Sequence, residues 1–114
     1  MLVSSFESEA FTGLIAEDGD EILGYGGITV AADSADVENV AVTEEYRRGG
    51  VGRKLLSKLC ERAKELGAKK VFLEVRVSNS PAMRLYLKSG FTGAYARTRY
   101  YSDGEDCLVM VKEL

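Results

Sequence analysis

The sequence predicts an α/β fold in which a parallel βαβ core is extended on both sides by antiparallel strands. Three observations support this prediction: a glycine-rich turn between an apolar strand and an amphipathic helix, a cleanly alternating strand after that helix, and strand pairs at both ends of the chain. The predicted order is ββ-β-α-β-α-β-β. A mixed, mostly antiparallel sheet with a central parallel core and flanking helices is its most economical assembly.

The first half of the chain predicts three strands. Residues 12–17 and 21–30 are apolar runs on either side of Asp18-Gly19-Asp20, whose composition is typical of a hairpin turn. Residues 36–43 form the third strand, with apolar side chains at positions 37, 40, 41 and 42. Residues 1–12 give only a weak signal, which favours either one helical turn over residues 4–10 or a loose segment.

The second half predicts two helices and three strands. Residues 51–66 place seven apolar side chains on one helix face, and Gly67 follows as the terminating glycine. Residues 70–77 alternate as a strand. Asn79 and Pro81 then supply the cap and the first position of a helix that runs to residue 88. Gly90 ends this helix, and residues 91–98 and 105–112 are the last two strands.

Length and composition limit the possible functions. With 114 residues the chain predicts a single domain, residues 1–114, large enough to bury a core without metal or disulfide. The net charge of −3 gives no reason to expect nucleic acid as a partner, and no apolar run approaches the ~20 residues of a membrane span. Cys60 and Cys107 lie in apolar patterns, which indicates reduced thiols in a cytoplasmic protein. Because histidine is absent, any general base must be another side chain or water.

A glycine-rich turn stands in the middle of the chain. It has the pattern R-x-x-G-x-G at Arg47, Gly50 and Gly52, and a helix begins directly after it. Such a turn lets backbone N–H groups converge at the positive end of a helix dipole, and flanking cations add positive charge. The expected ligand is therefore a phosphate or pyrophosphate. The Lys-Ser/Thr pair of a P-loop and the third glycine of a dinucleotide fingerprint are both absent. The alternative is a solvated basic turn that only begins a helix.

Five separate pieces of the sequence resemble one known family. They are Glu38-Asn39-Val40-Ala41-Val42, the glycine-rich turn, the segment Leu73-Glu74-Val75-Arg76-Val77-Ser78-Asn79, the pair Leu85-Tyr86 before Gly90-Phe91, and Arg99-Tyr100-Tyr101 before Asp103-Gly104-Glu105-Asp106. In this order they are similar to the GCN5-related N-acetyltransferases (GNATs). Within that family they most resemble the N-terminal protein acetyltransferases, the bacterial ribosomal-protein alanine acetyltransferases and their archaeal counterparts.

The resemblance implies an acetyl-CoA-dependent N-acetyltransferase. It would transfer acetyl to the α-amine of a protein or peptide N-terminus by direct attack, with acetyl-CoA as co-substrate and no metal. One alternative is acetylation of a small amine or a lysine side chain, and another is a non-catalytic module that binds acyl-CoA. The presence of both Glu74 and Tyr86 argues against the last alternative, because a domain that has lost its catalytic activity need not keep either residue.

The resemblance also implies which residues bind the cofactor. The backbone of the strand before the turn would hold the pantetheine arm, the turn would hold the pyrophosphate, and Asn79 would add a hydrogen bond. The implied cofactor-binding residues are Val40, Ala41, Val42, Arg47, Arg48, Gly49, Gly50, Val51, Gly52, Arg53 and Asn79. The alternatives for the strand and for Asn79 are a buried core strand and a simple helix cap.

Glu74 and Tyr86 are the catalytic candidates. Partial burial of Glu74 on its apolar strand would make it a workable general base acting through water, and a salt bridge to Arg76 is the alternative. Tyr86 would donate a proton to the coenzyme A thiolate, although a helical tyrosine is more often a core aromatic. Glu38, Tyr100 and Tyr101 would bind the acceptor, with exposed or surface-packing positions as the alternatives.

The front of the chain departs from the family. Relatives carry a strand and two helices before the hairpin, where this sequence has about a dozen residues. The strand at 12–17 is then expected to be an open sheet edge, with Leu14 and Ala16 on one face and Ile15 on the other. We therefore expect a homodimer in which a second copy, or its swapped N-terminal segment, completes the sheet or the acceptor wall. A fold-back of residues 1–11 over the edge and an N-terminus further upstream are the alternatives.

Overall fold

The computed structural model describes residues 1–43 and 49–114, and the structural statements below concern those residues. In chain order the elements are β1 (Leu2–Glu7), β2 (Phe11–Asp18), β3 (Glu21–Ala31), β4 (Ser34–Val42), α1 (Val51–Glu65), β5 (Lys70–Arg76), α2 (Ser80–Lys88), β6 (Thr92–Arg97) and β7 (Cys107–Glu113).

All of these strands form one sheet in the order β1-β2-β3-β4-β5-β7-β6. β4 and β5 pair in parallel, and every other neighbouring pair is antiparallel. This arrangement confirms the predicted mixed, mostly antiparallel sheet with a parallel βαβ core.

Both helices lie on the same face of the sheet. α1 connects β4 to β5 and α2 connects β5 to β6, and these two crossovers move in the same direction across the sheet. Because parallel crossovers are right-handed, both place their helix on one side. We call this side, which carries Leu14, Leu73 and Val75, the helix-covered face. The opposite side, which carries Ile15 and Glu74, is the open face.

The hydrophobic core lies between α1 and the helix-covered face. Leu55, Leu56 and Leu59 of α1 are fully buried. The helix approaches β3 closely, since a Cβ on Gly26 would lie only 3.0 Å from Leu59 Cδ1. A glycine at this position of β3 therefore lets the helix pack closely against the strand.

Most predicted elements are present within two residues of their predicted bounds. Gly67 and Gly90, predicted as terminating glycines, each have φ of 95° directly after the C-cap residues of α1 and α2. Leu14 and Ala16 are buried while Ile15 faces the other way, as the alternation of β2 predicts.

The prediction of a helical turn or a loose segment at the start of the chain is wrong, because Leu2–Glu7 forms β1, which agrees with the alternative of a fold-back over the β2 edge. This strand pairs along its whole length with β2, so β2 is not an open edge. The Phe6 ring lies against Gly13, where a Cβ would approach a ring carbon to 2.2 Å. Arg62 of α1 also donates a hydrogen bond from Nη2 to Glu7 Oε2 over 2.9 Å. The homodimer hypothesis therefore loses the premise on which it was based.

Within the described ranges, neither helix is both long enough and apolar enough to cross a membrane.

Candidate functional site

β4 and β5 separate partway along their length. Their parallel pairing ends where Asp36 lies opposite Phe72, although β4 continues to Val42. The separation coincides with a β-bulge in β4, in which Glu38 is the extra residue between two pairs with β3. Beyond the bulge the two strands leave an open wedge between them.

The end of β4 turns backbone groups towards this wedge. The N–H of Thr43 donates to Leu23 O over 2.9 Å, so the backbone groups of Thr43 face β3. Because this direction alternates along a strand, the backbone groups of Val40 and Val42 face the wedge, and those of Ala41 face β3. An extended chain that carries amide groups can hydrogen-bond to such a strand edge. Among the three predicted positions, the backbone groups of Val40 are therefore placed towards the wedge, whereas those of Ala41 face β3.

The N-terminus of α1 lies beside the end of β4. Gly50 is the N-cap with φ of 79°, Gly49 precedes it in an exposed turn, and no described side chain caps the helix. The N–H groups of Val51, Gly52 and Arg53 have no partner within the helix by geometry. The first turn contains no acidic residue, and the Arg53 side chain is exposed. This end of the helix therefore suits an anion.

Gly52 serves the packing of the two helices. A Cβ at this position would lie 3.0 Å from Leu85 Cδ2 of α2 and 3.3 Å from Val42 Cγ2. Its side-chain direction therefore points into the protein, and only its backbone N–H is available to an anion. A substitution at Gly52 disturbs packing before it could disturb anion binding.

α2 carries two of the predicted residues. Asn79 caps the helix, accepting from the N–H of Ala82 over 3.3 Å, so the cap alone accounts for one of its polar atoms. Tyr86 is partly buried, with its ring edge-on to Phe91 at a centroid distance of 6.2 Å. Burial raises the pKa of the Tyr86 phenol, which therefore stays protonated at neutral pH.

A cavity of about 590 Å³ opens on the open face over β4, β5, β7 and β6. Its walls combine three carboxylates with aromatic rings and one guanidinium group. The charged residues lining it are Asp36, Glu38, Glu74 and Arg97, and the aromatic ones are Phe72, Tyr95 and Tyr101. The cavity therefore carries net negative charge next to π-faces, which suits a cationic amine.

Glu74 lies in this cavity, with partners that differ from those predicted. Its Oε2 is 3.3 Å from Arg97 Nε, and its Oε1 accepts from the Tyr100 hydroxyl over 3.2 Å. Its side chain is 41% exposed. The alternative salt bridge to Arg76 is wrong, because Arg76 pairs with Asp103 over 2.8 Å.

Three polar residues of the cavity were not predicted as site residues: Asp36, Tyr95 and Arg97. Burial, followed by repulsion from Glu38 and Glu74, raises the pKa of the Asp36 carboxyl. Arg97 also donates to the Tyr95 hydroxyl over 3.2 Å. Arg97 reaches Glu74 across β7, so no spacing in the sequence signals the contact.

The two predicted acceptor tyrosines meet each other edge-on. The ring centroids of Tyr100 and Tyr101 are 5.2 Å apart, and the Arg76 guanidinium lies 4.0 Å from the Tyr101 ring centre. The hydrogen bond to Glu74 raises the pKa of Tyr100, and burial with a contact to Cys107 raises the pKa of Tyr101 to about 12. Both phenols are therefore neutral hydrogen-bonding groups at physiological pH.

Apart from Asn79 and Tyr86 at α2, most of the predicted residues fall into two groups. Glu38, Glu74 and Tyr101 line one cavity together, with Tyr100 hydrogen-bonded to Glu74, whereas Val40, Val42 and the start of α1 lie at the wedge. Arg47 and Arg48 lie outside the described residues. In residues 1–43 and 49–114, no group of three or more histidine, cysteine or acidic side chains could hold a metal ion.

Comparison with known proteins gives a consistent assignment. The Acetyltransferase (GNAT) family matches residues 3–91. An N-alpha-acetyltransferase of Sulfurisphaera tokodaii is 48% identical over 79 residues, which cover 68% of this chain and 47% of that protein. The chain spans 47% to 65% of the length of the curated relatives it matches first.

Two solved structures have the same fold. The ribosomal-protein-S18-alanine N-acetyltransferase from Escherichia coli has a TM-score of 0.83 at 33% identity, covering 94% of this chain and 71% of that chain. Nourseothricin acetyltransferase has a TM-score of 0.86 at 32% identity, covering 91% of this chain and 65% of that chain. With the family matching most of the sequence, and with β4 and β5 diverging beside the N-terminus of α1, this chain belongs to the GNAT acetyltransferase family.

Proposed function

We propose that the protein transfers the acetyl group of acetyl-CoA to the α-amine of a protein or peptide N-terminus by direct attack. The observation that carries this proposal is the wedge between β4 and β5, with an anion-binding helix end beside it and an acidic cavity on the open face. The named relatives that acetylate protein N-termini support the choice of acceptor.

The wedge and the helix end suit acetyl-CoA as the co-substrate. The backbone groups of Val40 would hold the amide-containing pantetheine arm, and Ala41 and Val42 are proposed from the sequence motif alone. The N–H groups at the start of α1, from Gly49 to Arg53, would hold the pyrophosphate together with the exposed Arg53 side chain. Arg47 and Arg48 are proposed from the sequence motif alone, as is the second hydrogen bond of Asn79.

Acetyl transfer to an ammonium group forms an N–C bond and breaks a C–S bond, so nitrogen loses two protons, one of which is released to solvent while the other is balanced by the proton returned to the sulfur. Glu74 is the proposed acceptor of the amine proton, acting through water, since its carboxylate is exposed and held by Arg97 and Tyr100. Tyr86 is the proposed donor to the thiolate, because its raised pKa keeps the phenol protonated. No metal is needed for these steps.

The acceptor amine is proposed to bind in the acidic cavity. An N-terminal ammonium group is complementary to its three carboxylates, and deprotonation there gives the nucleophile. Glu38 is held in place by a hydrogen bond from the Thr29 hydroxyl. Tyr100 and Tyr101 would contact the first residues of the acceptor from the β6–β7 loop.

A second candidate is acetylation of a small amine. The similarity to nourseothricin acetyltransferase favours it, because that protein is as similar in fold and identity as the ribosomal-protein enzyme. An acidic, aromatic cavity also suits a polyamine or an aminoglycoside. The polypeptide acceptor is preferred because the N-alpha-acetyltransferase relative is more similar in sequence.

One experiment separates these proposals. The protein is incubated with acetyl-CoA and either a mixed panel of N-terminal peptides or a panel of polyamines and aminoglycosides, and products are identified by mass spectrometry. We expect acetylation at the α-amine of peptides. Acetylation confined to small amines would replace the first proposal by the second. Thermal stabilisation by acetyl-CoA without turnover of either panel would indicate a binding module.

A further inference from the structure

A second concavity on the open face adjoins the acidic cavity. It has a volume of about 350 Å³, lies over β1 to β4, and is mainly apolar. We call it the aromatic groove, and the residues that define it are Phe6, Phe11, Ile15, Ile22, Tyr25 and Glu38.

Two glycines shape the aromatic groove. A Cβ on Gly13 would lie 2.2 Å from Phe6 Cζ, and a Cβ on Gly27 would lie 2.6 Å from Phe11 Cζ. Each ring therefore lies directly against the backbone of a neighbouring strand, and the ring centroids are 6.0 Å apart. The groove is thus built into the sheet by specific ring-on-glycine contacts.

The groove is exposed although it is apolar. Phe6 is 54% exposed, Ile22 52% and Tyr25 45%, and both described helices lie on the opposite face. A contiguous exposed apolar surface of this kind marks an interaction site.

Glu38 joins the groove to the acidic cavity, because this bulged residue of β4 lines both. Polarity changes abruptly on its two sides, from three carboxylates to a cluster of aromatic and aliphatic side chains. A ligand that spans both must carry a cationic amine at one end and an apolar group beyond it. A peptide with a free N-terminus and a downstream apolar side chain has this chemistry.

We propose that the aromatic groove binds an apolar side chain of the acceptor peptide near its fourth residue. This inference rests on the proposed function, and it names a specificity determinant for that reaction. The distance sets the first residue that can reach the groove: from β5 to the middle of β2 and β3 is at least two and a half strand spacings, or ~12 Å, because β4 and β5 diverge beyond Asp36. An extended peptide advances ~3.4 Å per residue, so the fourth side chain is the first that reaches the groove when the first amine is in the cavity.

The test compares two peptides that differ only at position four, with leucine in one and serine in the other. For the wild-type protein we expect kcat/KM to be about 10- to 100-fold higher for the leucine peptide, because leucine is buried in the groove. Tyr25→Gln and Ile22→Gln replace exposed side chains, so folding should survive, and each should bring the leucine peptide close to the serine peptide. Leu66→Gln, an equally exposed leucine at the end of α1, should keep the full preference.

Each other outcome decides against the proposal. Equal turnover of both peptides by the wild type, or a preference that survives Tyr25→Gln, would overturn the groove assignment while leaving N-terminal acetylation intact. Acetylation of no peptide would overturn the proposed function and the assignment with it. Light scattering that shows a dimer dissociated by Tyr25→Gln would assign the groove to a second copy of this chain.

Discussion

The two faces of the sheet differ in almost every property that matters for function. The helix-covered face is closed by α1, whose leucines Leu55, Leu56 and Leu59 are fully buried. The open face carries the acidic cavity and the aromatic groove, and its charged groups form hydrogen bonds and ion pairs between distant parts of the chain. The helix-covered face therefore carries the main hydrophobic core, and the open face, although Cys107 and Val109 of β7 are buried there, presents the cavity and the groove.

This division explains how a chain of this size can hold a reactive site. The side chains of alternate residues on one strand point to opposite faces, so Leu73 and Val75 anchor the same strand that presents Glu74. A change at Glu74 should leave the core untouched, and a change in the core should leave the chemistry of Glu74 untouched until the protein unfolds.

The largest expected effect is on turnover, at the open face. Glu74→Gln should lower kcat about 10²- to 10⁴-fold, because the amine then lacks its proton acceptor. Unfolding free energy should change by about 0.5 kcal/mol or less, since the carboxylate is exposed. Steady-state kinetics and urea unfolding of the same variant measure both quantities. Full retention of kcat would remove Glu74 from the mechanism.

A change on the helix-covered face should instead have its main effect on the free energy of unfolding. Leu59→Ala removes a fully buried side chain and should lower the free energy of unfolding by about 2–5 kcal/mol. Ile22→Ala on the open face, where the side chain is 52% exposed, should cost far less. Urea unfolding compares the two, and equal losses would show that the open face also supports the fold.

Much of this division follows from sequence periodicity. The strand and helix patterns place Leu14, Leu59 and Leu73 in the core, and the alternation of β5 separates Glu74 from its apolar neighbours. These assignments depend only on local spacing, which is why the elements and the buried face agree with the prediction.

The site itself depends on contacts that local spacing does not specify. The partner considered for Glu74, as the alternative to a catalytic role, was Arg76, two residues away, but the sheet order brings Arg97 to it across β7. β1 was missed because its alternation is weak and its pairing relies on Phe6 against Gly13 and on Glu7 with Arg62 of α1. The cavity and the groove emerge only from the assembled sheet.

A smaller effect is expected on cofactor binding, which is proposed at the start of α1 and not on either face of the sheet. Arg53→Glu at the start of α1 should strongly reduce the rise in melting temperature caused by acetyl-CoA, because it places negative charge where the pyrophosphate is proposed to bind. Lys58→Glu makes the same charge change further along α1 and should retain the rise. Thermal unfolding with and without acetyl-CoA tests the pair, and equal behaviour of the two variants would contradict the binding site.

The smallest expected effect is the pH dependence of stability. Its sign should differ between Glu7 on the helix-covered face and Asp36 on the open face. The hydrogen bond from Arg62 holds the pKa of Glu7 below its ordinary value of 4.5, so Glu7 stabilises the fold above that pH and loses this contribution as pH falls through the lowered value. Burial raises the pKa of Asp36 above its ordinary 3.8, so its contribution is complete below 3.8 and is lost as pH rises through the raised value.

Two variants test this opposition. At neutral pH, Glu7→Gln should lower the melting temperature, because it removes a favourable ionised group that holds β1 to α1. Asp36→Asn should raise the melting temperature slightly, since it removes a carboxylate that is partly buried beside Glu38 and Glu74. Both differences should shrink as the pH falls below 4, where the carboxyl groups become protonated. Shifts of the same sign at neutral pH would show that burial of Asp36 beside Glu38 and Glu74 does not destabilise the fold.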